Sequence, residues 1–71
     1  MSDYPIIIER LSDEDGGGYI ARVPDLPGCF ADGETDAEAL ANAHDAIACW
    51  IDHARARGQF VPDPSPQKVY A

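Results

Sequence analysis

Asp45, Cys49 and His53 stand four residues apart in a stretch with helical patterning, so their side chains stack along one side of a helix. Carboxylate, thiol and imidazole all bind metals, and the three make a possible ligand set. Structural zinc sites usually draw their ligands from two such pairs, and this sequence offers one. The face therefore reads as solvated, with no metal. Metal-assisted hydrolysis needs three or four carboxylates that converge in space. The candidates are Glu9, Asp25, Asp32 and Asp45, spread over two strands, a loop and the outward side of a helix. No serine lies in a GxSxG turn. Gly16-Gly17-Gly18 lacks the following helix that phosphate binding requires, so it reads as a turn. Cys29 follows a glycine in a strand and reads as a small core residue. His44 borders an apolar stripe and is expected to pack there. No catalytic, cofactor or metal residue is assigned, and no enzyme activity is expected.

The elements that must position these groups follow from the residue pattern. Residues 4–11 are rich in isoleucine and read as a strand, with Pro5 confined to its start or to an edge because proline has no N–H to donate. Residues 12–18 form a turn in which three glycines supply positive φ. Residues 19–23 are a second strand, completing a hairpin. Pro24-Asp25-Leu26-Pro27-Gly28 cannot continue a ladder and reads as a rigid loop or bulge. Residues 29–32 make a third short strand, closed by Gly33.

Thr35 opens the clearest element. Thr35-Asp36-Ala37-Glu38 fits a capping box, in which threonine and glutamate side chains satisfy exposed backbone N–H groups at a helix start. Asp36 and Glu38 also complement the positive end of the helix dipole. The alanine-rich run from Asp36 to Arg57 predicts a helix, ended by Gly58 at C′. At 100° per residue, Leu40, Ala43, Ile47, Trp50, Ile51 and Ala54 share one stripe that must face the sheet. Trp50 is read as a core residue rather than an interface anchor. Glu38, Asp45, Cys49 and Asp52 lie opposite. Residues 61–66 alternate proline with other residues and give a stiff connector. Gln67 to Tyr70 reads as a short fourth strand.

Seventy-one residues allow one domain, spanning 1–71 with its core in 4–58. A chain this short buries only about 60% of its unfolded surface, so stability is marginal. With 45% hydrophobic and 25% charged residues it is composed like a folded protein. The net charge is −8, and it is unevenly spread. Residues 1–54 hold twelve acids against two bases, a net −10; residues 55–71 hold three bases against one acid. That surface repels nucleic acid and anionic membrane, and it attracts a basic partner. No apolar run is long enough for a membrane span or a signal-peptide core. A cytoplasmic location is expected, with Cys29 and Cys49 as free thiols.

The string resembles the HicB family of antitoxins. The resemblance rests on Gly17-Gly18-Tyr19, Val23-Pro24-Asp25-Leu26-Pro27-Gly28-Cys29, Gly33-Glu34-Thr35 and Glu38-Ala39. It continues in Asn42-Ala43, Ala46-Ile47, Gly58, Pro62 and Pro64-Ser65. It implies a partial RNase H-like, α+β fold: a small antiparallel sheet with one long helix on one face, β-β-β-α, plus a short fourth strand. It implies a cytoplasmic antitoxin that binds and blocks a small basic HicA-like ribonuclease, which cleaves messages. Pro24, Asp25, Leu26, Pro27 and Asp32 are the expected partner contacts. Gly18, Tyr19, Gly28, Gly33, Thr35, Glu38 and Gly58 are the expected structural positions of the motif. Many members add a DNA-binding segment after this domain, and nothing after Gly58 reads as one, so operator binding by this chain alone is not expected. The alternatives are a solitary homo-oligomer without a toxin, or a metal-dependent nuclease on a reduced RNase H scaffold. A homodimer is expected, because Ile6-Ile7-Ile8 puts apolar groups on both sheet faces and one helix covers only one. The tail is expected to help hold it.

Overall fold

A computed structural model describes residues 4–65 and shows three strands and one helix. These are β1 (Ile7–Arg10), β2 (Tyr19–Arg22), β3 (Phe30–Gly33) and α1 (Asp36–Ala56). The sheet is antiparallel in the order β1-β2-β3. The expected α+β architecture is thus present. The fourth strand, placed by the sequence at 67–70, lies outside the described residues.

The strands are shorter than their apolar runs. Tyr4 precedes β1 and turns into the core, where its hydroxyl donates to the Pro62 carbonyl. Ile6, just before β1, and Ile8 within it pack toward α1, while Ile7 is 49% exposed on the other face. The β1–β2 turn holds a 3-10 segment over Asp13–Asp15. Gly16, Gly17 and Gly18 follow, all at positive φ, which no side-chain-bearing residue adopts without strain.

Helix α1 starts at an N-cap. Thr35 Oγ1 accepts from the Glu38 N–H at 3.1 Å, a contact whose loss costs about 1 kcal/mol. The reciprocal half of the expected box differs. The Glu38 carboxylate accepts from the Glu34 N–H at 3.4 Å, one residue earlier than the box requires. At the other end, Gly58 has φ +70. The N–H groups of Gly58 and Gln59 donate to the carbonyls of Arg55 and Ala54, a Schellman closure.

The buried side of α1 consists of Ala39, Ala43, Ile47 and Ala54. Trp50 and Ile51 flank it, half-buried. Leu40, expected in this stripe, is instead 39% exposed, and Ala39 takes the buried position. The reason is close approach. A Cβ built on Gly33 would lie 2.5 Å from the Ala39 nitrogen, so strand and helix backbones nearly touch there. Only small side chains fit that junction. Farther along, the gap widens, and Tyr4, Val23, Leu26, Cys29 and Ile47 fill it.

Candidate functional site: the open sheet face and its loop

Alternation along the strands decides which groups face outward. Ala21, Val23, Cys29 and Ala31 point to the helix side, and so do Ile6 and Ile8. The pairing Ile7–Arg22–Phe30 forms one outward row, and Glu9–Ile20–Asp32 the next. No described element covers this face. Arg22 forms an ion pair with Glu9 across it. Ile7 and Phe30, 49% and 62% exposed, leave a partly apolar surface. That surface continues into a groove of about 510 Å³ whose rim is Pro24 and Pro27.

The Pro24–Gly28 loop is held from three sides. Leu26 is buried at 1% exposure and anchors the loop in the core. The Trp50 indole N–H donates to the Pro27 carbonyl at 2.9 Å. Asp25 accepts from both the N–H and the hydroxyl of Ser65. These bonds hold its carboxyl below the usual aspartate range; the side-chain bond contributes most, and burial opposes it slightly. Of the expected contact residues, Pro24, Pro27 and Asp32 are exposed. Leu26 is a core anchor, and Asp25 is engaged by Ser65. The sequence reading missed the Ser65 contact. Its only signal was a serine between prolines, forty positions away from the aspartate.

Charge separates along the molecule. The turn at 13–18 and the start of α1 share one end, where Gly18 packs on Gly33 and a groove is lined by Asp32, Glu34 and Glu38. Asp13, Glu14, Asp15 and Asp36 add to it. His53, Arg55 and Arg57 sit at the opposite end of α1, and His53 and Arg57 line a groove there with Pro27 and Phe30.

The chemistry-bearing residues do not meet. Glu9 and Asp32 share a face but lie on either side of Ile20. Asp45 is on the exposed side of α1, with the sheet beneath the other side. Asp45, Cys49 and His53 are exposed, and among the described residues no three His, Cys, Asp or Glu side chains are grouped to hold a metal. Cys29 is buried, which pushes its thiol above the ordinary range. His44 is half-buried beside the core, as expected, and its Nδ1 has no partner among the described residues. No described helix is long and apolar enough to cross a membrane.

The geometry defines a small two-layer module with one open sheet face, a braced proline loop and charge drawn to one end. Residues 4–71 match the family model described as the HicB-like antitoxin of bacterial toxin–antitoxin systems. The chain belongs to that family. It is 40% identical over 67 residues to a 14.9 kDa protein from the rep–hol intergenic region of Haemophilus phage HP1. The alignment covers 94% of this chain and 47% of the phage protein. It is 38% identical to UPF0150 protein Ta0767 of Thermoplasma acidophilum, over 93% of this chain and 91% of that one. Antitoxin HicB of Escherichia coli K12 is 35% identical over 89% of this chain and 44% of its own length. The chain thus spans about half the length of the phage protein and of E. coli HicB. Among solved structures, TTHA0281 from Thermus thermophilus matches with a TM-score of 0.69 at 33% identity, covering 80% of this chain and 68% of that one.

Proposed function

We propose that this chain is the antitoxin of a type II toxin–antitoxin pair and neutralises a small, basic, message-cleaving ribonuclease of the HicA type by direct binding. The observation that carries this reading is the charge separation. A concentrated acidic end steers a basic protein to the surface and orients it there. The open sheet face then supplies apolar contact through Ile7 and Ile20, with Pro24 and Pro27 beside them and Asp32 at the rim. The loop is braced before binding, so little ordering entropy is lost on contact. Such a complex blocks RNA by occupying its basic groove with negative charge. The reading places the protein in the cytoplasm and includes self-association as a homodimer, supported by Phe30 standing exposed on an edge strand.

The test pairs the purified chain with a small basic ribonuclease of the HicA type. Added antitoxin should abolish RNA cleavage at equimolar amounts. Association should slow at least several-fold between 50 and 500 mM salt, because screening shortens the reach of charge to roughly 4 Å at the higher salt. Ribonuclease activity that persists under saturating antitoxin would overturn the reading. An association rate indifferent to salt would remove the steering argument.

A further inference from the structure

Strand β3 is an edge of the described sheet, and one residue on it is exposed and, among the described residues, unpaired along the backbone. In an antiparallel pair, residues alternate between those bonded to the partner strand and those facing away. The Val23 N–H donates to the Cys29 carbonyl at 3.0 Å, so Cys29, Ala31 and Gly33 face β2. Phe30 and Asp32 therefore turn their N–H and C=O groups toward the free edge. The Asp32 carbonyl is already occupied, since the Asn42 side-chain amide donates to it at 2.7 Å. This helical side chain closes half of the edge, a common protection against indiscriminate strand pairing. Among the described residues Phe30 has no partner for either backbone group, and the residue is 62% exposed.

Below that edge, on the helix side, runs a groove of about 840 Å³ between the Pro27–Phe30 segment and the flank of α1 at Cys49, Trp50 and His53. Phe60, 83% exposed, forms its far lip. An apolar groove beside an open strand fits a second strand with structure beneath it.

We propose that a second copy of this chain fills this site, pairing β3 with β3 in antiparallel fashion about a two-fold axis at Phe30. Charge selects this occupant. Strand β3 runs from the basic end of the molecule to the acidic end, with α1 antiparallel to it. An antiparallel pair therefore sets the Glu34–Glu38 end of one chain beside the His53–Arg57 end of the other. Two chains of charge −8 meet here with opposite ends together and their acidic ends apart. The axis falls at Phe30 for two reasons. An axis at Asp32 would oppose two carboxylates directly, which is destabilising. An axis at Ala31 would need the carbonyl that Asn42 already holds. At Phe30 the two residues exchange both backbone bonds, and their rings lie side by side on the open face. The interface is isologous, so it closes as a dimer and does not propagate. This inference rests on the homodimer reading above and is independent of the toxin.

Sedimentation velocity on the full chain tests it, with circular dichroism to confirm folding. The native protein should sediment at twice 7.7 kDa. Phe30→Asp should weaken dimerisation at least 100-fold. Reversing Arg55 and Arg57 to Glu should weaken it about ten-fold at low salt and less at high salt. Phe30→Cys in a Cys49→Ser background should give a covalent dimer under mild oxidation, since directly paired Cα atoms lie about 5.5 Å apart, within disulfide reach. Ile7→Cys in that background should not. The cross-link decides the matter if Phe30→Asp fails to fold. A native protein that is monomeric at millimolar concentration overturns the dimer itself. A dimer that survives Phe30→Asp and does not cross-link at position 30 overturns this surface alone.

Discussion

Ser65 donates two hydrogen bonds to the Asp25 carboxylate, one from its backbone N–H and one from its hydroxyl, each 2.7 Å long. With the Tyr4 hydroxyl on the Pro62 carbonyl, this pair ties the connector after α1 back to the proline loop. The connector thereby braces the loop, which is more than its stiffness alone would do.

The pair predicts a pH dependence whose sign is fixed. The Asp25 carboxyl is held below its ordinary value of 3.8 in the folded chain. A depressed folded value means the stabilisation is complete above the unfolded value and is lost as pH falls through the folded one. The Ser65 amide resonance should therefore stay constant from pH 7 to 5 and move only below 3.8, together with the Asp25 carboxyl carbon. The group is exposed, so global stability should change little in that window. A midpoint at or above 3.8 would show that the bonds are not formed in solution. Asp25→Asn should release the Ser65 amide to fast exchange at neutral pH.

Gly33 and Gly28 separate two kinds of glycine requirement. At Gly33 an added Cβ would lie 2.5 Å from the Ala39 nitrogen and 2.9 Å from the Glu38 carbonyl carbon. Backbone cannot move aside cheaply, so Gly33→Ala should cost about 3 kcal/mol, the upper range of overpacking. At Gly28 nothing lies within 4 Å, but φ is +77. Gly28→Ala should cost only about 1 kcal/mol, from the left-handed backbone. Urea unfolding of both variants checks the order. In a domain this small, Gly33→Ala should lower the midpoint severely. Equal midpoints would mean that the strand and helix are less closely packed than described.

The same junction explains what the sequence did and did not disclose. Helix boundaries were legible because Thr35, the acids after it and Gly58 act locally, through caps and φ. The strand order followed from the three glycines and the proline loop. The buried face of α1 was legible only in part. Periodicity weighs Leu40 above Ala39 by size, yet packing against Gly33 requires the smaller residue. The long-range polar contacts, Asn42 to Asp32, Trp50 to Pro27 and Ser65 to Asp25, carry no periodic signal. Each depends on tertiary placement, so Asp25 reads as a loop carboxylate and partner contact until the fold brings Ser65 to it.

The two cysteines should differ sharply in reactivity. Cys49 is exposed on α1, while Cys29 is buried and its thiol is pushed up by desolvation. The thiolate is the reactive form, so Cys29 is both inaccessible and protonated at neutral pH. A chromogenic disulfide reagent should titrate one thiol in the native protein and two in denaturant. Cys49→Ser should remove the native reaction entirely. Rapid reaction of two thiols under native conditions would place Cys29 outside the core.

The carboxylates on the open face make the last prediction. Glu9 and Asp32 lie on β1 and β3 with Ile20 of β2 between them. Two strand spacings put their backbones about 9–10 Å apart. Glu9 is further committed to Arg22. Asp45 lies on α1, across the sheet, and Asp25 is bonded to Ser65. Two-metal hydrolysis needs carboxylates that bridge ions roughly 4 Å apart, a spacing these positions do not offer. RNA and RNA–DNA hybrids should therefore survive incubation with the purified chain in Mg²⁺ or Mn²⁺. The informative control is Asp32→Asn, which removes a surface charge without touching the core. Cleavage that copurifies with the native chain and disappears in Asp32→Asn would show that these side chains converge in solution, and would establish a nuclease.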